Sequence, residues 1–214
     1  MSRVLNLTMS GTSTRDQVDP AGVTVDEIDI YSFDGLRLED YVGLIVSGGC
    51  DQIFLERRRD AISAWVRDGG RLLANGHPLR QFVDELPSIR KMEFHGLGDV
   101  WLSAVDEHPV WDGIDRRGVL LRTGVPGDHT FEELTSIGVA GFYARNYLAN
   151  LPEGASVITG IGPNKLPVDV AYSLGEGEVI VHAGNDLMSF DSTNLQPQIL
   201  SHLGSGRCPQ GENR

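Results

Sequence analysis

The chain has 214 residues, of which 40% are hydrophobic and 22% charged, so it is long enough to form one globular domain with its own core. Its formal net charge of −12 at pH 7 disfavours binding to the phosphate backbone of nucleic acid. No apolar run approaches the roughly 20 residues of a transmembrane helix, and no signal peptide precedes the first strand-like run. We therefore expect a cytoplasmic protein without a membrane partner.

Short apolar runs alternate with amphipathic segments, and this order predicts an α/β fold with a doubly wound, mostly parallel sheet. The predicted strands are 3–9, 23–31, 42–46, 71–74, 155–159, 168–172 and 178–183. The predicted helices are 54–67, 79–86 and 196–203. We expect the middle region, 94–147, to be an elaborated loop with short antiparallel strands, including a strand-like run at 118–122. Residues 1–204 are expected to form a single domain and 205–214 a disordered tail.

Four polar, glycine-containing turns follow predicted strands, at 10–13, 47–51, 75–78 and 184–186. Ligands of an open parallel sheet bind beyond the carboxyl ends of its strands, so these turns predict one crevice. The backbone N–H groups of Gly48 and Gly49 could hold an anion or a developing oxyanion, or these glycines could simply permit a tight turn. The other candidate ligand-binding residues are Asn75, Gly76, Asn185 and Asp186. Of these, the last two could instead cap the next helix.

Two side chains in these turns could perform chemistry. His77 follows a strand on a glycine-containing turn and is the candidate acid/base group, although its ring could instead bond to neighbouring backbone. Cys50 is the only cysteine near the crevice and is the candidate nucleophile. A nucleophilic role would need a lowered pKa and a nearby base such as His77.

No other pattern in the sequence indicates a bound ion or cofactor. The two cysteines form no metal-ligand motif, and His95, His108 and His129 show no ligand-like spacing, so we predict no metal site and no cofactor. His182 lies within a strand and is expected to be packed and hydrogen-bonded. Arg145 lies in an aromatic-rich stretch, where it could clamp a carboxylate, stack on a sugar or form a salt bridge over a packed loop.

Several segments resemble the class I glutamine amidotransferase-like superfamily. They are the strand and Ser-Gly-Gly turn at 43–49, the helix ending in Trp-Val-Arg-Asp-Gly-Gly at 65–70, and the strand and turn at 71–77. The His-Pro-Val-Trp-Asp-Gly-Ile segment at 108–114 and the run 167–186 agree with them. Within the superfamily, the likeness is closest to trehalose-utilisation (ThuA)-like proteins. It spans most of residues 40–203 and implies a flavodoxin-like sheet of the class I glutamine amidotransferase type.

The chain departs from this superfamily at the positions of its best-known reaction. True glutamine amidotransferases place a catalytic Cys on the turn after this strand and a His-x-Glu pair after a late strand. Here Gly76 occupies the nucleophile position, His77 stands one residue after the place where ThuA-like proteins tend to have His, and Asn185 replaces the usual late His. Glycine cannot attack a carbonyl and Asn is not a general base at neutral pH, so a Cys-His-Glu glutaminase is disfavoured.

Three hypotheses follow from these observations. The first is a ThuA-like protein that binds a small polar metabolite, such as a sugar derivative, in the predicted crevice. The second is a non-catalytic partner or assembly subunit that kept the scaffold and lost the chemistry, with a homo-oligomer or a protein partner as its form. The third is a Cys50-dependent hydrolase or transferase. One scaffold hosts many functions, so the fold alone does not choose among them.

Overall fold

The computed structural model describes residues 2–20, 22–122, 125, 130–138, 141–190 and 194–207. Its strands are β1 (Arg3–Thr8), β2 (Thr14–Val18), β3 (Thr24–Asp29), β4 (Gly43–Val46), β5 (Arg71–Ala74), β6 (Ser88–Lys91), β7 (Leu102–Ala104), β8 (Leu121–Arg122), β9 (Gly141–Phe142), β10 (Asn146–Ala149), β11 (Ser156–Ile161), β12 (Leu166–Leu174) and β13 (Gly177–His182). Its α-helices are α1 (Gln52–Glu56), α2 (Arg59–Arg67), α3 (Arg116–Leu120), α4 (Phe131–Ile137) and α5 (Leu195–Gly204). Short 3₁₀ turns lie at Ile30–Gly35, Leu38–Asp40, Leu97–Val100, Pro109–Trp111 and Leu187–Ser189.

Nine strands form one mixed sheet in the order β2-β3-β1-β4-β5-β13-β12-β11-β7. The five neighbouring strands from β3 to β13 are parallel, and the strands beyond them on both sides pair antiparallel. The chain is therefore an α/β protein with a large mixed, mostly parallel central sheet, as the sequence predicts at this level.

Apolar cores cover both faces of the central strands. Leu44 belongs to the core that includes Trp65 of α2, whereas the next residue, Ile45, belongs to the core that includes Leu203 of α5. Successive side chains of a strand point to opposite faces, so a strand covered on both faces needs an uninterrupted apolar run. Burying one such side chain contributes roughly 1.5–3 kcal/mol, which is why these short strands are stable.

The connections between strands differ from the predicted doubly wound pattern, in which helices cross over between parallel strands. β1 is joined to β3 through the antiparallel strand β2, and β3 to β4 through the 3₁₀ turns at 30–35 and 38–40. The single helix predicted at 54–67 is instead the pair α1 and α2. α1 begins earlier because the Asp51 carboxylate accepts hydrogen bonds from the N–H groups of Ile53 and Phe54, both at 3.0 Å.

The prediction of a helix at 79–86 is wrong. The N–H groups of Leu79 and Arg80 donate to Oε1 of Gln52, at 2.6 and 3.1 Å. Glu85 has a φ of 62°, which lies outside the right-handed helical region. A side chain of α1 therefore satisfies backbone donors in this segment, which runs without helix to β6. The helix predicted at 196–203 is confirmed as α5.

The middle region contains the predicted short antiparallel strands, with β6 paired to β10 and β8 to β9. The strand-like run at 118–122, however, is the end of α3 followed by β8. His129 lies outside the described residues.

The end of the described chain packs against the domain. Of the predicted tail, residues 205–207 are described, and the N–H of Arg207 donates to the carbonyl oxygen of Gly69 at 3.3 Å. Residues 208–214, which include Cys208, lie outside the described part. Among the helices that the structure describes, none combines the length and the apolar character needed to cross a membrane.

A buried carboxylate joins the first three strands. Asp26 on β3 accepts hydrogen bonds from Nη2 of Arg3 at 2.6 Å, from the hydroxyl of Tyr41 at 2.8 Å and from the N–H of Asp16 at 2.8 Å. Burial alone would raise the pKa of Asp26, but these donors outweigh burial and lower that pKa below its ordinary value. The folded protein therefore keeps Asp26 ionised and links β1, β2 and β3 through it.

We expect Asp26→Asn to lower the free energy of unfolding by about 2–3 kcal/mol at pH 7, because hydrogen bonds to a charged group contribute about that much. The folded-state pKa lies below the unfolded value of about 3.9. The contribution of Asp26 is therefore complete above the unfolded pKa and disappears as the pH falls through the folded pKa. Urea denaturation of both proteins at pH 7 and at decreasing pH measures this difference.

The control is Asp40→Asn, which removes an exposed carboxylate and should change the free energy of unfolding by less than about 0.5 kcal/mol. A gap between wild type and Asp26→Asn that stays the same in strong acid would contradict this role of Asp26.

Candidate functional site

Three turns meet at the carboxyl end of the sheet because β4, β5 and β13 are adjacent and parallel. They are the turns 47–51, 75–78 and 184–186. Oδ1 of Asp186 accepts a hydrogen bond from Nδ2 of Asn75 at 2.6 Å, and its Oδ2 accepts one from the N–H of Gly48 at 3.4 Å. One side chain of the third turn therefore contacts both of the others. We call this contact of Gly48, Asn75 and Asp186 the turn junction.

The polar side chains of the turn junction are used within the protein. Asn75 is 2% exposed, and its Oδ1 accepts the N–H of Leu187 at 2.9 Å. Asp186 also accepts the N–H of Met188 at 2.8 Å and so caps the 3₁₀ turn 187–189, which is the capping role considered for it from the sequence. The remaining predicted turn, 10–13, follows β1 and is not part of this junction.

Two glycines bring the first two turns into direct backbone contact. Gly76 has a φ of 70°, in the left-handed region that favours glycine, and a Cβ at this residue would lie 2.8 Å from Cα of Gly48. Non-bonded carbon atoms do not approach this closely without displacing the backbone. The position that resembles the superfamily's nucleophile position therefore has no room for a side chain in this chain.

Cys50 is buried behind these turns. Its thiol donates to the carbonyl oxygen of Leu7 at 3.1 Å, and its side chain is not among those lining the cavity described below. Burial raises the pKa of Cys50 to about 12, so the group is a neutral thiol at pH 7. This is the opposite of the environment that activates a cysteine nucleophile.

His77 lies at the edge of the turn junction in an unusual backbone conformation, with a φ of 47°. Its carbonyl oxygen accepts a hydrogen bond from Nε2 of Gln52 at 3.1 Å, and its Nδ1 lies 3.1 Å from Nδ2 of Asn146. An amide nitrogen can only donate, so Nδ1 accepts and the ring proton is on Nε2. Burial, with a smaller effect from nearby His182, lowers the pKa of His77, and its imidazole is therefore neutral at pH 7.

A cavity of about 400 Å³ opens beside His77. Its lining combines two of the predicted site residues with a segment of the middle region: His77, Asn185, Gly141, Phe142, Ala144, Arg145 and Asn146. The structure does not bring the other predicted site residues, Gly48, Gly49, Cys50, Asn75, Gly76 and Asp186, to this lining. Within the part of the chain that the structure describes, no trio of metal-ligating side chains lies in this cavity.

Arg145 is an exposed cation held beside aromatic rings. Its guanidinium carbon lies 4.5 Å from the ring centroid of Phe142 and 5.8 Å from that of Phe94. None of the described carboxylates forms an ion pair with it. Stacking restricts the guanidinium while leaving its N–H donors available, so Arg145 can bind a carboxylate or a phosphate group.

A buried row of hydrogen bonds supports the wall that Asn185 contributes. Nδ2 of Asn185 donates to the carbonyl oxygen of Phe142, and its own carbonyl accepts from Nε2 of His182 at 2.7 Å. Nδ1 of His182 lies 2.6 Å from Oδ1 of Asp169, whose Oδ2 accepts the hydroxyl of Tyr143 at 2.8 Å. His182 is therefore the packed, fully bonded histidine expected from the sequence, and it fixes the backbone of a cavity residue.

Sequence reasoning missed two residues of this site. Asn146 stands out in the sequence only as the neighbour of Arg145 in the aromatic-rich stretch, because its contact with His77 depends on the path of the middle region. Gln52 follows a recognised turn, and its amide binds the backbone of residues 77, 79 and 80. A polar side chain at the start of a helix next to the crevice is the feature that could have indicated it.

The fold of the chain is shared with solved structures. Cytoplasmic Protein STM3548 from Salmonella typhimurium is similar over 94% of this chain and 97% of its own, with a TM-score of 0.57 and 14% sequence identity. Cytoplasmic Protein STM1381 from Salmonella typhimurium LT2 is similar over 95% of this chain and 98% of its own, with a TM-score of 0.55 and 14% identity. No protein-family model and no curated protein sequence matches the chain. Likeness at this identity shows a common fold alone.

We expect Gly76→Ala to destabilise the protein by about 1–3 kcal/mol, because it combines a left-handed φ with a clash against the Gly48 backbone. Urea denaturation measures the change. The matched control is Gly49→Ala in the neighbouring turn, where a Cβ would meet nothing within 4 Å. Equal stability of the two variants would show that the two turns are not in contact.

We expect Cys50 to resist alkylation in the folded protein, because its thiol is buried and remains protonated at neutral pH. The Cys208→Ser variant leaves Cys50 as the single thiol, and mass spectrometry after iodoacetamide treatment at pH 7.5 counts the label. Labelling should appear only after urea is added. Rapid labelling of the native protein would instead support a nucleophilic Cys50.

Proposed function

We propose that the chain binds a small polar metabolite with an anionic group, such as a sugar derivative, in the cavity beside His77, and that it is not a glutaminase. The observation that supports this most directly is the convergence of His77, Arg145, Asn146 and Asn185 around one cavity of about 400 Å³. This volume lies within the usual range for small-molecule sites, about 300–1,000 Å³. Its position beyond the carboxyl ends of parallel strands is where open α/β sheets bind ligands.

The anionic group of the ligand would bind Arg145. Its guanidinium is stacked beside Phe142 and has no ion-pair partner among the described residues, so a carboxylate or phosphate would supply one. The amide groups of Asn146 and Asn185 offer further donors and acceptors, which suits hydroxyl groups. A sugar with an acidic substituent combines these two features.

If the ligand is also a substrate, His77 is the acid/base group. A neutral imidazole has one donor and one acceptor nitrogen. Asn146 occupies the acceptor Nδ1, so a substrate would have to displace this amide before His77 could take a proton. Gly76 leaves no space for a side chain and Cys50 is a neutral thiol, so any reaction would proceed without a covalent cysteine intermediate. Binding without a reaction is equally compatible with these two observations.

We further propose that the chain is a distant ThuA-like member of the class I glutamine amidotransferase-like superfamily with a flavodoxin-like sheet. The order of its five parallel strands supports this. Numbered along the chain, these strands lie in the sheet in the order 2-1-3-4-5, which is the flavodoxin-like order. The contact between Gly48 and Gly76 explains how such a scaffold could lose the nucleophile. The lack of space for a side chain at Gly76 also suits the alternative of a non-catalytic assembly subunit.

We expect at least one acidic sugar to raise the melting temperature of the protein in a thermal-shift series of sugar phosphates, sugar acids and the matching neutral sugars. Arg145→Gln should weaken that binding by about tenfold or more, because a hydrogen bond between charged groups is lost. His77→Asn should also weaken it, and Asn is chosen because it tolerates the left-handed φ at this position.

The matched control is Arg37→Gln, which removes an exposed arginine outside the cavity and should leave binding unchanged. No stabilisation by any acidic or neutral sugar, together with stable co-purification of another protein, would favour the assembly subunit. Stabilisation that Arg145→Gln leaves intact would place the ligand elsewhere.

A further inference from the structure

A second group of polar side chains lies at the amino end of the parallel strands, opposite the cavity beside His77. Glu178 stands at the start of β13, whereas the cavity beside His77 lies beyond the carboxyl end of that strand. His202 of α5 and His108, which precedes the 3₁₀ turn 109–111, lie next to Glu178. Nε2 of His202 lies 2.5 Å from Oε2 of Glu178, and Nε2 of His108 lies 3.5 Å from its Oε1. One ligand atom from each of the three residues lies within 4.8 Å of the others.

The imidazole of His108 is only partly satisfied in this group. Its side chain is 7% exposed, yet its Nε2 has no hydrogen-bond partner among the described residues. A buried polar atom without a partner costs free energy, so its presence calls for an explanation such as a bound ion. This nitrogen faces the carboxylate of Glu178 at a distance too long for a good hydrogen bond.

We propose that His108, Glu178 and His202 form a binding site for a divalent transition-metal ion, with Zn²⁺ as the best match. Two imidazoles and one carboxylate are a ligand set that Zn²⁺ uses, with a fourth position left for water or another ligand. This site is separate from the cavity beside His77 and does not depend on the function proposed there.

The contacts of the two imidazoles with the Glu178 carboxylate, one to each oxygen, are close to the spacing that such an ion needs. Bonds of about 2.0–2.2 Å to a tetrahedral ion put neighbouring ligand atoms roughly 3.4 Å apart. The contact between His108 and Glu178 already has this length, and the shorter contact between His202 and Glu178 would open as the ion enters.

Metal binding moves a proton on His108. Its Nδ1 now accepts the N–H of Val110 at 3.3 Å, so the ring proton of the neutral imidazole is on Nε2. A metal on Nε2 requires the tautomer with the proton on Nδ1, and the long hydrogen bond from Val110 must then break. The ion would therefore replace one weak contact of the turn 109–111 and complete the coordination of the unpartnered nitrogen.

A cavity of about 700 Å³ adjoins His108 at this site. Three carboxylates and one arginine also line it, namely Asp106, Glu107, Asp112 and Arg116. These carboxyl groups favour the approach of a cation, and an entry path is one requirement of a metal site. The sequence showed no ligand spacing because the three residues lie in three separate segments of the chain. Folding alone makes them neighbours.

The test uses the full chain with Cys208→Ser, free of any affinity tag, after dialysis against a chelator. Addition of Co²⁺ should give visible absorption of tetrahedral cobalt that saturates at one equivalent, and Zn²⁺ should displace it. Competition with a chromophoric indicator gives the Zn²⁺ affinity.

His108→Gln and Glu178→Gln should each weaken Zn²⁺ binding by about 100-fold or more, while far-UV circular dichroism confirms that they fold. The matched control is His95→Gln, which alters an exposed histidine 3.8 Å from the carboxylate of Glu93 and should leave binding unchanged. The absence of tetrahedral cobalt absorption in the parent chain would overturn the proposal whether or not the variants fold. Zn²⁺ binding that both variants retain would overturn it as well.

Discussion

The turn junction of Gly48, Asn75 and Asp186 is the contact on which the candidate site depends. Its members are not cavity residues, but two of them lie close in sequence to residues that are. Asn75 stands two residues before His77, and Asp186 directly follows Asn185. Because hydrogen bonds fix Asn75 and Asp186 to each other at 2.6 Å, they also fix the distance between the two cavity residues that come from different strands. The junction therefore sets the geometry of the candidate site without lining its cavity.

The parallel part of the sheet could be predicted from the sequence because burial on both faces leaves a clear pattern. The run from Val42 to Val46 contains no polar residue, and a short run of this kind is typical of a central strand that is buried on both faces. The connections were less predictable. Pro78 directly precedes the segment 79–86, which contains apolar residues, yet Gln52 binds its first backbone donors and no helix forms. A single distant side chain decided that local structure, and its position was known only after folding.

The convergence of the turns could be predicted, but the residues that line the cavity could be predicted only in part. Turns that follow neighbouring parallel strands lie at the same end of the sheet. His77 and Asn185 are therefore in the same region. The sequence could not tell that Asn75 and Asp186 bind each other, or that Cys50 turns inward to Leu7. It also could not place Arg145 and Asn146, because their segment is held by an isolated bridge between Ala144 and Gly184 and by its pairing with β6.

The irregular strand β2 has a consequence for self-association. All five of its residues are exposed, and it forms one edge of the sheet. Its pairing with β3 shifts register between Thr14 and Gln17, where Asp16 has a φ of 56° and directs its N–H to the buried Asp26 instead of outward. The opposite edge, β7, has only three residues. Among the described residues, neither edge presents a long, regular row of free backbone groups, so the sheet resists edge-to-edge extension by a second copy. The bulge that completes the hydrogen bonds of the Asp26 carboxylate thus also protects this edge from misassembly.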